Sequence, residues 1–470
     1  MAKKPIMGKE DLQYDLAVIG GGPGGYTAAI YGAKKKLKVA LVEKDKLGGV
    51  CLNRGCIPTK TLINSANFYN KSKSSSKIGI NLEGVTVDWS NVQKNKDQVV
   101  TNLRGGVQGL LKANGVTLYR GKASLIDKNT VAIDGESQDR IRAKNIIIAT
   151  GSVPQKPPFA GGNLEGVISS DEALDFDDIP SSMVIVGGGV IGIEMAYIYN
   201  SFGTEVTIIE MLPDLLTGQD RDVIKEINRV LRRKKIKLLT NTRVMSVEND
   251  GGQLLVNYES KGEAGQVNAE KLLVAIGRKV LTSAVDNIGI AMDDKGIKVD
   301  ERLRTNIANI YAIGDVTGKL MLAHVASKQA MKAVEDIVGI QAKMDYSIVP
   351  SCIYTNPEIA SVGLNEEEAR AKYGNVKIGK FPLGASGKAM TMGENIGFVK
   401  IVADGEWNEI LGVHIVGPQA TELIAEGALA IKLQCTVEEL VDTIHAHPTL
   451  AENVMEASLD ILDEAIHKIG

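Results

Sequence analysis

Cys51 and Cys56 stand five positions apart in the stretch GGVCLNRGCIPTK, and a thiol pair at that spacing can serve as a staple or as a redox tool. In an ideal helix, residues five apart are separated by about 7.5 Å along the axis. That exceeds the usual disulfide range of about 4.4–6.8 Å between Cα atoms. If the two bond, the helix must be distorted there; Gly48, Gly49 and Gly55 allow it, and Pro58 suits a first helical turn. Thiols at a helix N-terminus are stabilised as thiolates and are reactive, whereas a plain staple would be reduced much of the time at a cytosolic redox poise. Four cysteines in 470 residues are too few for a stability framework. The other two, Cys352 and Cys435, stand alone in apolar surroundings and read as buried small hydrophobes.

Dithiol oxidation also needs a base that works near neutral pH, and histidine is the usual choice. The chain has five: His324, His414, His445, His447 and His467. His447 precedes Pro448 and a predicted helix start, a rigid setting for a base, while His445 reads as a loop residue. Both lie far along the chain from the thiols, so a separate domain or subunit must deliver the base. Glu452 closes the stretch TLAE, which by itself fits a helix capping box.

The elements that must position these groups show an internal duplication. YDLAVIGGGPGGYTAAIYGAKKKLKVALVEK and SSMVIVGGGVIGIEMAYIYNSFGTEVTIIEM share a pattern: an apolar run, glycines, a helical stretch, then a second apolar run ending in a carboxylate. Runs apolar on both faces, alternating with helices, read as buried parallel strands. Gly20, Gly22 and Gly25 keep the G-x-G-x-x-G spacing, and so do Gly187, Gly189 and Gly192. Each set is answered about 20 residues on by an acid, Glu43 and Glu210, placed to accept from ribose hydroxyls while the helix N-terminus receives a pyrophosphate. Two such loops imply two dinucleotides. Glu210 opposes a 2′-phosphate, which favours NAD over NADP at the second; the first lies near the cysteine pair and suits a flavin.

Polar, alternating segments such as TVAIDG and LLVNYES read as antiparallel meanders inserted into the parallel sheets. The Pro- and Gly-rich linker SVPQKPPFAGGNLEG marks the border between the copies, and TNIANIYAIGD is a further buried strand. From Tyr346 the texture becomes that of a separate α+β domain, with helices beginning near Ala420 and Thr449 and a capping box, TVEE, from Thr436. The formal charge of −3 provides no field suited to nucleic acid or an anionic membrane. The N-terminus MAKKPIMGKEDLQ lacks a signal-peptide core, and no run approaches a membrane span. A cytoplasmic protein is expected.

GGGPGGY, the cysteine pair, ATG, GGGVIGIE, AIGR, IYAIGD, LAH and HAHP follow one another in an order that resembles the flavin-linked pyridine nucleotide-disulfide oxidoreductases, across residues 14–467. HAHPTLAE is similar to the signature of the members that oxidise dihydrolipoyl groups. The resemblance implies a Cys51–Cys56 redox disulfide, with Cys51 as the interchange thiol and Cys56 as the flavin-facing, charge-transfer thiol. It makes His447 the general base, acting on the other subunit, and Glu452 the carboxylate that orients it. Lys60 and Glu194, otherwise ordinary solvated charges, become the pair beside the flavin's reactive nitrogen. Asp315, otherwise a helix N-cap, becomes the ligand of the ribityl chain. Thr150 and Gly151 of ATG and Gly277 of AIGR join the cofactor-binding residues.

The implied fold class is α/β, with two Rossmann-like dinucleotide-binding domains carrying inserted antiparallel meanders and a C-terminal α+β dimerisation domain. Residues 1–153 and 281–345 would bind FAD, 154–280 would bind NAD, and 346–470 would form the interface of a homodimer. The implied reaction passes electrons from protein-bound dihydrolipoyl groups through the disulfide and FAD to NAD. Lipoyl carrier domains of 2-oxoacid dehydrogenase or glycine cleavage complexes would be the partners, and no metal is expected. Val50 stands where many relatives have threonine. The tail DEAIHKIG, free of cysteine, speaks against a mercuric-ion reductase, and Glu210 against an NADP-dependent glutathione-type reductase.

Overall fold

The computed structural model describes residues 12–135 and 138–468; the basic N-terminal segment 1–11 lies outside the described residues. The chain forms two compact units. The first comprises residues 1–61, 93–155 and 277–345, and the second residues 62–92, 156–276 and 346–470.

In the first unit the strand Leu12–Ile19 runs parallel to Val39–Glu43 on one side and to Asp139–Ile148 on the other. Thr117–Leu125 and Ile310–Ala312 extend the parallel sheet outward. Thr117–Leu125, Thr130–Gly135 and Asp139–Ile148 also pair antiparallel, the expected meander grown out of the sheet's own strands. Val39–Glu43 is buried at every position, as an apolar run covered on both faces must be. One face packs Leu16, Val18 and Leu41 with Ala28 and Ala29 of the helix Pro23–Lys34.

The second unit repeats the plan. Ser182–Val186 lies between Glu205–Ile209 and Lys271–Val274, all parallel, with Lys237–Leu239 and Val167–Ile168 outside them. Its meander, Thr242–Asp250, Gln253–Ser260 and Glu263–Ala269, forms a separate antiparallel sheet. The duplication extends to the turn that matters most for ligands. A Cβ on Gly25 would lie 1.8 Å from the Gly20 carbonyl oxygen, and one on Gly192 would lie 2.0 Å from that of Gly187. Only glycine lets strand, turn and helix approach so closely.

The rest of the second unit is a five-stranded antiparallel sheet in the order Ser351–Ile353, Glu358–Gly363, Ile410–Gly417, Phe398–Asp404, Val376–Pro382. Ile424 and Ala430 of the helix Ala420–Leu433, and Val454, Ala457 and Ile461 of Glu452–Ile461, cover it in one apolar core. The Thr436 capping box is present. Cys352 and Cys435, expected to be buried, are only half-buried: they sit at the margin of that core, where the sheet and the helix end leave it open.

One feature of this sheet was not foreseen. Lys400 is 1% exposed, and its ammonium donates to Asp220 Oδ1 (3.0 Å), Asp222 Oδ2 (3.1 Å) and Glu366 Oε2 (2.8 Å). Lys380 adds a cation at Asp222 (3.1 Å) and Arg370 another at Glu366 (2.9 Å), so three cations meet three carboxylates. His414, opposite Lys400 on the next strand, faces Leu364 O through Nε2 (3.1 Å) and is 2% exposed. Lys400 and Asp220 are each 1% exposed, and removing either costs about 3–5 kcal/mol, because the other stays buried.

Burial holds the His414 imidazole below its ordinary 6.5. The Lys400 hydrogen bond, with Arg370, holds Glu366 below its ordinary 4.5. At Asp222, burial acts upward but Lys380 and Lys400 outweigh it, and the carboxyl is lowered from 3.8. A group with a depressed folded pKa contributes stability above its unfolded value and loses it as pH falls. Denaturation midpoints measured from pH 8 downward will therefore begin to fall below about 6.5 and steepen below about 4.5. His414→Gln, which keeps a donor for Leu364, will remove the first part of that slope and leave the second.

Candidate active site

The first glycine loop is braced by its acid. Glu43 Oε2 accepts from Gly21 N–H (2.5 Å) and Oε1 from Asp45 N–H (2.7 Å), and the carboxylate is 8% exposed. An ionised carboxylate offers about four acceptor sites, so two remain for ribose hydroxyls. Glu210 does the same in the second unit, accepting from Gly188 N–H (2.6 Å) and Leu212 N–H (2.8 Å). In both loops the second glycine, Gly22 or Gly189, is the residue before the helix, whose first N–H groups are therefore available to a pyrophosphate.

The disulfide is built against the first loop. Gly48 (φ 92°) and Gly49 (φ 59°) turn the chain into the short helix Gly49–Arg54, and a Cβ on Gly49 would lie 2.6 Å from Gly22 Cα. The helix breaks at Gly55, and a second one, Cys56–Lys73, begins at once. This break is the distortion the spacing required: Cys51 and Cys56 are disulfide-bonded with 4.7 Å between their Cα atoms. Cys56 opens the longer helix, so its sulfur lies at the positive end of that helix's dipole. Asn53 ties the short helix down by donating to Leu47 O (2.9 Å) and Gly49 O (2.8 Å). Pro58 and Lys60 follow in the long helix, Pro58 in its first turn as expected.

Thr150 Oγ1 donates to Leu281 O, and Gly277 O accepts from Gln155 N–H (3.0 Å), so the ATG and AIGR segments are adjacent. Sequence reading missed the residue after ATG. Ser152 Oγ donates to Asp315 Oδ2 (2.5 Å) and accepts from Arg278 Nε (2.7 Å), while Arg278 Nη2 donates to Ser152 O (3.0 Å). Asp315, in the short helix Gly314–Thr317, is thus held by a relay rather than acting as a cap. Beside it, Gly314 N–H donates to Gln329 Oε1 (2.6 Å), fully buried. AIGR contains Arg278, but nothing in the local pattern marks Ser152 or Gln329 or links Arg278 to Ser152, because their partners are distant in sequence.

In the second unit Glu194 is 3% exposed and accepts Tyr354 N–H at Oε1 (2.9 Å). Lys60 belongs to the first unit. His447 Nδ1 lies 2.8 Å from Glu452 Oε1, and Glu452 Oε2 accepts Thr449 N–H (2.7 Å). One carboxylate therefore fills both roles read from the sequence, partner of the histidine and brace of the helix entry; the helix itself runs Glu452–Ile461. Burial pushes Glu452 upward, but Thr449 N–H, the hydrogen bond with His447 and the charges of His447 and His467 outweigh it, leaving its carboxyl below the usual range. With Nδ1–H donating to Glu452, the basic lone pair of His447 is on Nε2, and the ring is 80% exposed. His445 is more than a loop residue. Its Nδ1 faces Thr443 O and its Nε2 faces Glu426 Oε1, both at 2.8 Å, and the side chain is only 4% exposed.

The residues on the first loop fit a flavin dinucleotide, because the glycine cradle would be filled by any Cβ and its acid keeps spare acceptors. The second loop fits NAD on the same grounds. Residues 14–330 match the family model described as pyridine nucleotide-disulphide oxidoreductase, and 349–458 match its dimerisation domain. A dihydrolipoyl dehydrogenase of Bacillus subtilis is 42% identical, over 97% of this chain and 99% of that one. Another, of Geobacillus stearothermophilus, is 41% identical over 99% of each. The HOCl-induced flavoprotein disulfide reductase RclA from Escherichia coli has a solved structure that superposes with a TM-score of 0.84 at 29% identity, covering 94% of this chain and 98% of that one. Among the described residues no helix is long and apolar enough to cross a membrane. Agreement of that extent reaches well beyond a shared architecture, and the chain belongs to the pyridine nucleotide-disulphide oxidoreductase family.

Proposed function

We propose that the protein is a dihydrolipoyl dehydrogenase, oxidising protein-bound dihydrolipoyl groups with NAD as the final acceptor. The observation that carries this reading is the Cys51–Cys56 disulfide, set at a helix N-terminus and packed through Gly49 onto the first dinucleotide loop. The match to curated dihydrolipoyl dehydrogenases over nearly the whole chain supports the substrate. Residues 1–153 and 281–345 form the FAD-binding domain, 154–280 the NAD-binding domain and 346–470 the interface of a homodimer. The dimerisation-domain match and the exposed His447 ring support delivery of the base to the thiols of the partner subunit. A cytoplasmic setting suits a disulfide that is meant to cycle.

His447 Nε2 removes the proton from one substrate thiol, and Glu452 stabilises the imidazolium that forms. The substrate thiolate attacks Cys51 Sγ; the Cys51–Cys56 bond breaks, and Cys56 leaves as a thiolate stabilised by the helix dipole. The second substrate thiol attacks the substrate sulfur of the mixed disulfide; the His447 imidazolium gives its proton to the departing Cys51 sulfur and takes that of the attacking thiol, so Cys51 is released as a thiol and the substrate as its cyclic disulfide. FAD on the Gly20–Gly25 loop and NAD on the Gly187–Gly192 loop supply, when bound, the two-electron acceptors that return the dithiol pair to the disulfide, with NADH and a proton as products. Thr150, Gly151 and Asp315, the last through Ser152 and Arg278, would hold the flavin, and Lys60 and Glu194 would tune its reactive ring; Glu210 and Gly277 would hold NAD.

Cys51→Ser will abolish NADH formation from dihydrolipoamide while NADH oxidation by ferricyanide continues. Dithiol-dependent NADH formation by this variant would sink the assignment. Lipoyl carrier domains from 2-oxoacid dehydrogenase and glycine cleavage complexes, compared as substrates with free lipoamide, will show which partner is served by the higher kcat/KM.

Glu452→Gln will lower kcat/KM for dihydrolipoamide by about 10²-fold and shift the base-controlled limb of its pH profile to lower pH, since the imidazolium loses its anionic partner. Glu452 sits below the usual carboxyl range, so it stays ionised across the working range and that limb reports the histidine. An unchanged profile would remove Glu452 from the mechanism.

A further inference from the structure

The segment after Glu210, residues 211–220, walls the second glycine loop. Glu210 holds Leu212 N–H, Leu216 N–H donates to Gly188 O (3.0 Å), and Leu215, 1% exposed, packs so closely that a Cβ on Gly188 would lie 2.3 Å from its Cδ2. The far end of the segment is tied to the antiparallel sheet. Gln219 Oε1 accepts from Ser361 Oγ (2.9 Å), and Asp220 and Asp222 both accept from the buried Lys400 ammonium. Asp220 also caps the helix Arg221–Arg233 by accepting Asp222 N–H (2.9 Å).

All three ammonium hydrogens of Lys400 are used, by carboxylates from the wall's end and from Glu366 at the start of the helix Glu366–Tyr373. A buried ion set of this kind is poor evidence for stability, since apolar packing often does as well, but it fixes one geometry. The wall is therefore held between two anchors, the glycine loop at one end and Lys400 at the other.

We propose that Lys400 is a positioning residue for the pyridine nucleotide: through Asp220 and Asp222 it holds the 211–220 wall against Gly188 and so sets the affinity for the adenosine half of NAD. This rests on the reading that NAD occupies the second loop. Lys400 touches neither the thiols nor the base, so the two halves of the reaction separate its effect from a general loss of structure.

The test uses flavin-loaded enzyme and the Lys400→Met and Asp222→Asn variants, with Lys400→Arg as the conservative replacement. Rapid mixing with dihydrolipoamide reads the dithiol half-reaction, and titration with NADH and steady-state kinetics read nucleotide affinity. The expected result is a rise of about tenfold in KM for NAD and Kd for NADH in Lys400→Met, a smaller rise in Asp222→Asn, partial recovery with arginine, and a dithiol half-reaction within about twofold of wild type. Unchanged nucleotide affinity in the folded variants overturns the proposal, even if the melting temperature falls, and so does an equal loss in both half-reactions. If Lys400→Met does not fold, Asp222→Asn, whose carboxylate is partly exposed and also paired with Lys380, decides the matter. Wild-type enzyme that is reduced by the dithiol but passes no electrons to NAD would instead refute the nucleotide reading itself.

Discussion

Gly25 passes so close to the carbonyl of Gly20 that a methyl group there would overlap the oxygen at 1.8 Å, and the chemistry of the first unit depends on that contact. It aims the helix Pro23–Lys34 at the end of the strand Leu12–Ile19, so that N–H groups meet a pyrophosphate while the helix dipole adds to the attraction. It also leaves room for Gly49, whose α-carbon side abuts Gly22. The disulfide helix is thereby stacked on the dinucleotide loop, and the thiols inherit their place from a backbone contact. Side chains at either glycine would separate the redox pair from its acceptor.

The acids that end the second strands have a role beyond ligand recognition. Glu43 bridges Gly21 and Asp45, and Glu210 bridges Gly188 and Leu212, in each case through backbone N–H groups. Each carboxylate rigidifies the cradle before any nucleotide arrives, which lowers the ordering cost of binding. Spare acceptor sites are left for a ribose. A glutamine at either position would keep one acceptor but lose the charge that favours short, strong bonds to backbone N–H.

What was legible in the sequence is what depends on neighbours along the chain. The duplicated strand–turn–helix units, the meanders and the cysteine pair are local patterns, each tied to a backbone requirement. The demand for a helix break between Cys51 and Cys56 was also legible, because 7.5 Å of helical rise cannot be spanned by a disulfide. Long-range polar contacts were not. Ser152 with Asp315 and Arg278, His445 with Glu426, and the three carboxylates around Lys400 join residues whose types are ordinary and whose spacing carries no period. Lys400 interrupts the apolar run of a fully buried strand, FVKIVAD, so the charge was visible in the sequence, but its partners were not.

Glu452 shows why two competing local readings need not exclude each other. A carboxylate has two oxygens, and here one braces the entry to the last helix while the other faces His447 Nδ1. The brace fixes the direction of the carboxylate, and the carboxylate fixes the tautomer of His447, so the helix start and the histidine share one residue. His445 adds a second constraint on the same loop, anchoring it to Glu426 two residues before the base. With the loop held on both sides of Ala446, the His447 ring can project 80% exposed without losing its orientation. An exposed histidine that is to move protons needs that combination, since exposure alone would cost it the preorganisation on which proton transfer depends.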